Sequence, residues 1–334
     1  MQNNILNKIK TLMLLVLVAL ISSFFSCKVI GDFTVIKLAH GLDPTHPVHI
    51  SMVYLSKLVE ERSNGEMRID IYPSGQLGSE RECIELLQIG SLGMTKVSAS
   101  VMEGFTPLFK VYNLPYVFRD DAHRFKVLEG EIGHKLLLET EPFRIRGLGY
   151  LDAGSRSFYT KDKPILTPAD LVGLKIRVQE STTAIRMVQA LGGSATPIAW
   201  GELYTSLQQG VVDGAENNPP TFHISRHYEV CKFYALDEHT SVPDVLIIST
   251  VVWNGLSQSQ QKLLLDAVED AAEYQKKIWR IATDEALAQV EKAGVKIYRP
   301  DKSVFEKKVS PMIEEYKSTA PDIYELIQKI KAVQ

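Results

Sequence analysis

Cysteine is scarce in this chain, at three of 334 residues. Cys27 lies near the N-terminus, so Cys83 and Cys231 are what remains for the folded part. They allow one disulfide and exclude a scaffold built on disulfides. Cys83 precedes Ile84 and Cys231 follows Val230, apolar settings that favour two buried thiols. An excess of either charge is also missing: 37 Lys and Arg stand against 40 Asp and Glu, a net charge of −3. With no basic block, nucleic acid is not an expected partner. Low-complexity segments, internal repeats and a second long hydrophobic run are absent. So are a Gly-rich phosphate loop and a serine nucleophile elbow, and no carboxylate pair can be placed face to face as in a hydrolase. His40, His46 and His49 match no metal-ligand spacing. No metal and no cofactor is expected.

What is present begins with an export signal. Lys8 and Lys10 precede the apolar run Leu12 to Ile21, and Ser22-Ser23-Phe24-Phe25-Ser26 leads to Cys27. A charged start, a short apolar stretch and small residues before a cleavage point are the order of a secretory signal. The run is too short for a stable membrane span. Cys27 occupies the place of a lipidated cysteine in a bacterial lipoprotein signal, although Phe24 and Phe25 are bulkier than the usual pattern. Ordinary cleavage and an uncleaved anchor are the alternatives. The expected location is outside the cytoplasm, with a lipid anchor to a bacterial membrane.

The remainder, about 300 residues, can bury a large core at a size where chains divide into lobes. Val35 to Ala39 reads as a strand. Pro47 to Arg62 carries Val48, Met52, Leu55 and Val59 at helical spacing and stops at Asn64-Gly65. Met67 to Tyr72 alternates as a strand, a capped helix follows Gly78-Ser79-Glu80 as far as Leu87, and Met94 to Val97 is a strand. This order predicts a parallel sheet flanked by helices. Ala122 to Glu139 reads as one helix and Ile145 to Leu151 as a strand. The alternation resumes after Gly154, as a second α/β lobe would. Thr182 to Leu191 is a helix stopped by Gly192-Gly193, Glu202 to Gln209 another, Asp244 to Trp253 a long apolar strand, and Ser257 to Ala293 an unusually long helix. The fold class is therefore α/β in two lobes, and a cleft between lobes is a preferred place for a small-molecule site.

One stretch speaks to function. Gly173-Leu174-Lys175-Ile176-Arg177-Val178 plants an arginine on a half-buried strand, and Asp213-Gly214-Ala215-Glu216-Asn217-Asn218-Pro219 closes the segment. An unpaired buried charge is costly, so Arg177 needs an anion. A guanidinium offers a planar two-bond fork to a carboxylate, from the protein or from a ligand.

These residues carry a resemblance. Tyr72-Pro73-Ser74-Gly75-Gln76-Leu77-Gly78, Asn113-Leu114-Pro115-Tyr116-Val117-Phe118, Gly173 to Val178, and Glu202-Leu203-Tyr204 through Asn217 occur in the order and spacing of the periplasmic substrate-binding subunits of tripartite ATP-independent periplasmic (TRAP) transporters. The chain resembles that family, DctP-like and including sialic acid binders, over nearly its whole mature length. The resemblance implies a periplasmic binding protein fold with a long bridging helix. It divides the chain into a signal (1–27), one lobe from 34–153 plus about 243–282, and a second from 154–242 plus about 283–334. It implies capture of an organic acid rather than catalysis, delivery to membrane permease subunits, and a monomer.

By the same resemblance Arg177 pairs with the ligand carboxylate. Arg156 matches a second binding arginine, and Asn217 matches a family asparagine whose amide can both donate and accept. Glu80 matches an acidic residue that contacts hydroxyls, although a first-turn acid also suits the helix dipole. Ser98, Asn218 and the ring of Trp200 are further candidates, each with a plain structural alternative in turn, cap or core. His40 ends the first strand near the expected cleft, and His223 and His239 approach from the other lobe. Two arginines with hydroxyl partners favour a sugar acid. Gly154-Ser155-Arg156-Ser157-Phe158-Tyr159 with Glu216-Asn217-Asn218 looks like the uronate-binding members, ahead of sialic acid or C4-dicarboxylates. A ligand-presenting sensory module has the same capture chemistry, and an enzyme acting on such acids would need a poised base among the histidines.

Overall fold

The computed structural model describes residues 33–334; the export signal and Cys27 lie outside the described residues. Val35–Gln334 form one compact unit. It contains two sheets. The first has the order β2-β1-β3-β10-β4, where β1 is Thr34–Ala39, β2 Met67–Tyr72, β3 Met94–Ser98, β4 Ile145–Leu151 and β10 Asp244–Ser249. The second runs β11-β9-β5-β8-β6-β7, with β5 Arg156–Thr160, β6 Lys175–Val178, β7 Ser194–Pro197, β8 Gly214–Asn217, β9 Phe233–Thr240 and β11 Lys296–Tyr298.

Local signals place most elements. The Pro47–Arg62 helix starts on proline, whose fixed φ suits a first turn, and buries Val48, Met52, Leu55 and Val59 along one stripe. The Glu80–Gln88 helix is closed by a reciprocal capping box between Ser79 and Glu82. The Thr182–Leu191 helix is capped by Ser181 and ends at Gly192 with φ +102°, a conformation that glycine adopts without a Cβ clash.

Three expectations are revised. The first sheet is not all parallel: β1 pairs with β3 in parallel, but β10 lies between β3 and β4 and runs antiparallel to both. A strand arriving from the other sheet fills that slot, which no local pattern announces. The strand from Asp244 ends at Ser249, whose hydroxyl accepts from the Val251 amide and starts a helix over Thr250–Gly255. The helical stretch near 122–139 breaks into Asp121–Glu129 and Glu131–Leu138. A Cβ on Gly133 would lie 1.9 Å from the Leu128 carbonyl, so the second piece packs against the end of the first where only glycine fits. Cys83 and Cys231 are free and buried, and burial raises their thiols to about 11 and about 12.

The Gln258–Lys292 helix, 35 residues or about 52 Å at 1.5 Å per residue, belongs to both halves. Leu264, Ala267, Val268, Ala271 and Trp279 pack in the first sheet's core, and Val290 packs in the second's. Midway, Gln275 exchanges two hydrogen bonds with the Asp152 backbone, where the chain crosses between sheets. The C-terminus departs from the expected partition. The Pro321–Ala332 helix buries Ile323, Ile327 and Ile330 against the core of the first sheet, although β11 joins the second.

A buried carboxylate also ties the halves together. Glu103, at the end of the short Ala99–Met102 helix that follows β3, accepts from the hydroxyls of Ser181, Thr182 and Thr183 and from the Thr183 amide, all at the start of the Thr182–Leu191 helix. A negative group there satisfies donors that the first helical turn leaves open and complements the helix dipole.

Candidate functional site

In both sheets the carboxyl ends of the parallel strands face the same space. β6 and β8 run parallel and bring Arg177 and Asn217 to one edge, while β5, antiparallel to β8, begins there with Arg156. In the first sheet β3 ends with Lys96 and Ser98, and antiparallel β10 begins with Asp244 opposite Ser98. Ligand sites of α/β sheets form outside the carboxyl ends of strands. The cavity between them, about 690 Å³ counting the solvent at its mouth, is lined by Arg156, Arg177, Gln179, Asn217 and Asn218 on one wall and by His46, Glu80, Lys96, Ser98 and Asp244 on the other. Trp200 and Trp279 line it as well.

The two arginines are in opposite states. Arg156 is satisfied within the protein. Its Nε and Nη2 fork onto the two carboxylate oxygens of Glu216, and Nη1 donates to Asn217 Oδ1 at 2.9 Å. Burial alone would raise the Glu216 carboxyl, but Arg156 and His239 hold it down at about 2. His239 donates to Asp237 at 2.8 Å, and its other ring nitrogen is 3.6 Å from Glu216, an attraction of charge rather than a good hydrogen bond. Burial would lower its pKa; the two carboxylates raise it to about 9.

Arg177 finds no carboxylate among the described residues. Nε and Nη2 donate to the Ile198 carbonyl at 2.9 and 2.7 Å, and buried Nη1 has no partner. The side chain is 2% exposed, and desolvation pushes its pKa below the ordinary arginine value. Asn217 stands nearby with a set orientation. Its Oδ1 accepts from Arg156 and from the Asn218 amide, so that atom must be oxygen, and Nδ2 has no protein partner among the described residues.

The opposite wall holds a feature missed in the sequence analysis. Lys96 is 3% exposed, and its Nζ donates to Glu80 Oε1 at 3.0 Å and to Asp244 Oδ1 at 3.1 Å. Burial would lower the Lys96 pKa, but Asp244 and Glu80 together raise it. The second oxygen of Glu80 accepts from the Ser98 amide at 3.1 Å. No donor among the described residues reaches the second oxygen of Asp244, and burial raises its pKa against the pull of Lys96.

Ser98 caps a short helix and reaches Gln179 across the cavity at 3.3 Å. Asn218 caps the Pro219–Ile224 helix through the Thr221 amide while lining the cavity. His40 is corrected: it does not line the cavity. Its Nδ1 accepts from the Leu42 amide and its Nε2 meets His49 at 3.0 Å, so the ring turns toward the Pro47–Arg62 helix. His46 lines the cavity instead. The Val48 amide donates to its Nδ1, so Nε2 carries the proton and donates to Thr221 Oγ1 at 3.2 Å. Burial, with Lys96 nearby, lowers His46 to about 3, so it is neutral. Lys96, Asp244, His46 and Trp279 were missed from the sequence. The one available hint was a lysine in the middle of the short strand β3, between Thr95 and Val97.

The chain has known relatives. Residues 38–319 match the family model for bacterial extracellular solute-binding protein, family 7, DctP. The C4-dicarboxylate-binding periplasmic protein of Rhodobacter capsulatus is 30% identical over 303 residues, 88% of this chain and 90% of that protein. A TRAP periplasmic solute-binding protein from Xanthobacter autotrophicus, solved with bound β-D-galacturonate, superposes with a TM-score of 0.86 at 35% identity and covers 90% of this chain and 100% of its own. One from Pseudomonas putida, solved with bound D-glucuronate, gives 0.86 at 36% identity over 90% and 97%. The chain belongs to family 7 of the bacterial extracellular solute-binding proteins, the DctP family of periplasmic substrate-binding subunits of TRAP transporters.

Proposed function

We propose that this protein captures a hexuronate such as glucuronate or galacturonate and hands it to the permease subunits of a TRAP transporter. The observation that carries the reading is Arg177, a buried guanidinium that lines the cavity and that, among the described residues, has one nitrogen unpartnered and no carboxylate partner. A ligand carboxylate supplies the missing anion. Asn217 Nδ2 assists it, and Arg156, anchored on Glu216, sets the position of Asn217. Glu80, Ser98 and Asn218 offer acceptors and donors to hydroxyls, and the faces of Trp200 and Trp279 suit the C–H surface of a pyranose. The two solved relatives with bound hexuronates support the choice of ligand.

In this reading the two sheets with their helices are lobes that open to admit the acid. Contacts from both walls favour closure, because only a ligand with different affinity for the two states shifts them. The ligand is released unchanged, and the protein is a monomer held at the membrane by a lipid on Cys27. A thermal-shift screen over sugar acids and dicarboxylates tests the reading. A ligand at 100 times its Kd stabilises by about 2.7 kcal/mol, a visible rise in Tm. Hexuronates should give the largest rise, be recovered intact by NMR and bind with a stoichiometry of one. No response to any hexuronate refutes the reading.

A further inference from the structure

The wall facing Arg177 carries an unusual balance of charge. One buried lysine is shared by two carboxylates, at 3.0 Å and 3.1 Å, so the Lys96–Glu80–Asp244 cluster has a net negative charge. All three side chains line the cavity that Arg177 enters from the other sheet with an unpartnered nitrogen. The cavity is therefore polarised, with a cation seeking an anion on one wall and excess carboxylate on the facing wall. Both Lys96 contacts are charge-assisted, and its positive charge is already over-compensated, so it is no second docking point for an anion.

We infer that the Lys96–Glu80–Asp244 cluster is a charge filter that admits acids with one carboxylate and hydroxyls at the far end, and rejects acids with a carboxylate at both ends. The inference rests on the sugar-acid reading of the cavity and adds a limit to it. A hydroxyl at the far end donates to the second oxygen of Asp244, which no protein donor among the described residues reaches. A second carboxylate there has no proton to donate and meets two carboxylates balanced by one ammonium. Like charges brought together in a desolvated site discriminate against a wrong partner. The distinction is chemically narrow: galacturonate and galactarate differ in the oxidation state of one terminal carbon, an aldehyde carbon in the one and a carboxylate in the other.

Calorimetry on the full protein tests this with galacturonate, galactarate and galactonate. Galactonate, open-chained like galactarate but singly charged, controls for loss of the ring. The expected result is that galactarate binds at least about tenfold more weakly than galacturonate and galactonate. Asp244→Asn should close the galacturonate-to-galactarate ratio by at least about tenfold, with galactarate binding more tightly than it does to the native protein, whatever galacturonate loses with its acceptor oxygen. Glu80→Gln, which removes the same charge from the other side of Lys96, should do likewise if Asp244→Asn fails to fold. Galactarate binding as tightly as galacturonate in the native protein overturns the filter alone. A ratio that a folded variant leaves unchanged also overturns it. If no hexuronate binds, the sugar-acid reading falls and this inference falls with it.

Discussion

Replacing Arg177 by methionine separates a residue that holds a ligand from one that holds the fold. The guanidinium lies 2% exposed, donates twice to the Ile198 carbonyl and leaves Nη1 unsatisfied. In the ligand-free protein its charge is a burden, and replacing even a buried ion pair by apolar side chains of similar volume is often neutral or stabilising by about 1–4 kcal/mol. Against this stands the Ile198 carbonyl, which loses its donors at a cost of about 1–3 kcal/mol. The two nearly cancel, so the ligand-free Arg177→Met protein should melt close to the native temperature. Binding has no such cancellation. Two charge-assisted hydrogen bonds at about 1.5–3 kcal/mol each amount to about 3–6 kcal/mol, a loss of roughly 10²- to 10⁴-fold in Kd. Arg177→Lys keeps the charge but not the fork and should fall between. Differential scanning fluorimetry without ligand and calorimetry with glucuronate read the two quantities apart. Affinity within about threefold of native in Arg177→Met refutes the role given to this residue, and a large loss of ligand-free stability refutes the claim that it lacks a protein anion.

The reverse pattern is expected at Arg156: Arg156→Ala strands the buried Glu216 carboxylate and should cost about 3–5 kcal/mol in urea unfolding, with the Arg156→Ala, Glu216→Ala double variant recovering part of it. Glu103→Gln keeps the shape but loses the charge that serves the donors of Ser181, Thr182 and Thr183. It should lower stability by about 1–3 kcal/mol, and an unchanged urea midpoint would contradict the tie between the halves. Acid should act through histidines. Burial lowers His40, His46 and His227 to about 3, below their unfolded value of 6.5. The unfolded chain therefore binds more protons between those limits, and stability falls as pH drops from 6.5 toward 3, by up to about 1.4 kcal/mol per pH unit for each histidine. His239, raised to about 9, adds stability that is complete below 6.5 and lost as pH rises through 9. Urea midpoints from pH 4 to 10 should show both limbs, and a flat acid limb would contradict the buried neutral histidines.

Much of this molecule was legible in the sequence wherever the cause is local. Proline at the start of Pro47–Arg62, Ser181 and Gly192 at the two ends of Thr182–Leu191, and Ser257 ahead of the long helix act within a few residues of themselves. Arg177 was legible too, because a cation among apolar strand residues poses its question without a partner in view. The tertiary structure decided who answers. Arg156 meets Glu216 across 60 positions and Lys96 meets Asp244 across 148, and nothing in either neighbourhood marks the other. The exchange of His40 for His46 has the same origin: the ring that enters the cavity is the one capping a helix aimed at Thr221, 175 residues away. The sequence alone determined that a buried arginine would need an anion. Only the packing of the two sheets determined that Arg156 has one, that Arg177 has none among the described residues, and that the far wall is negative, because side-chain charges are balanced by proximity in space and not along the chain.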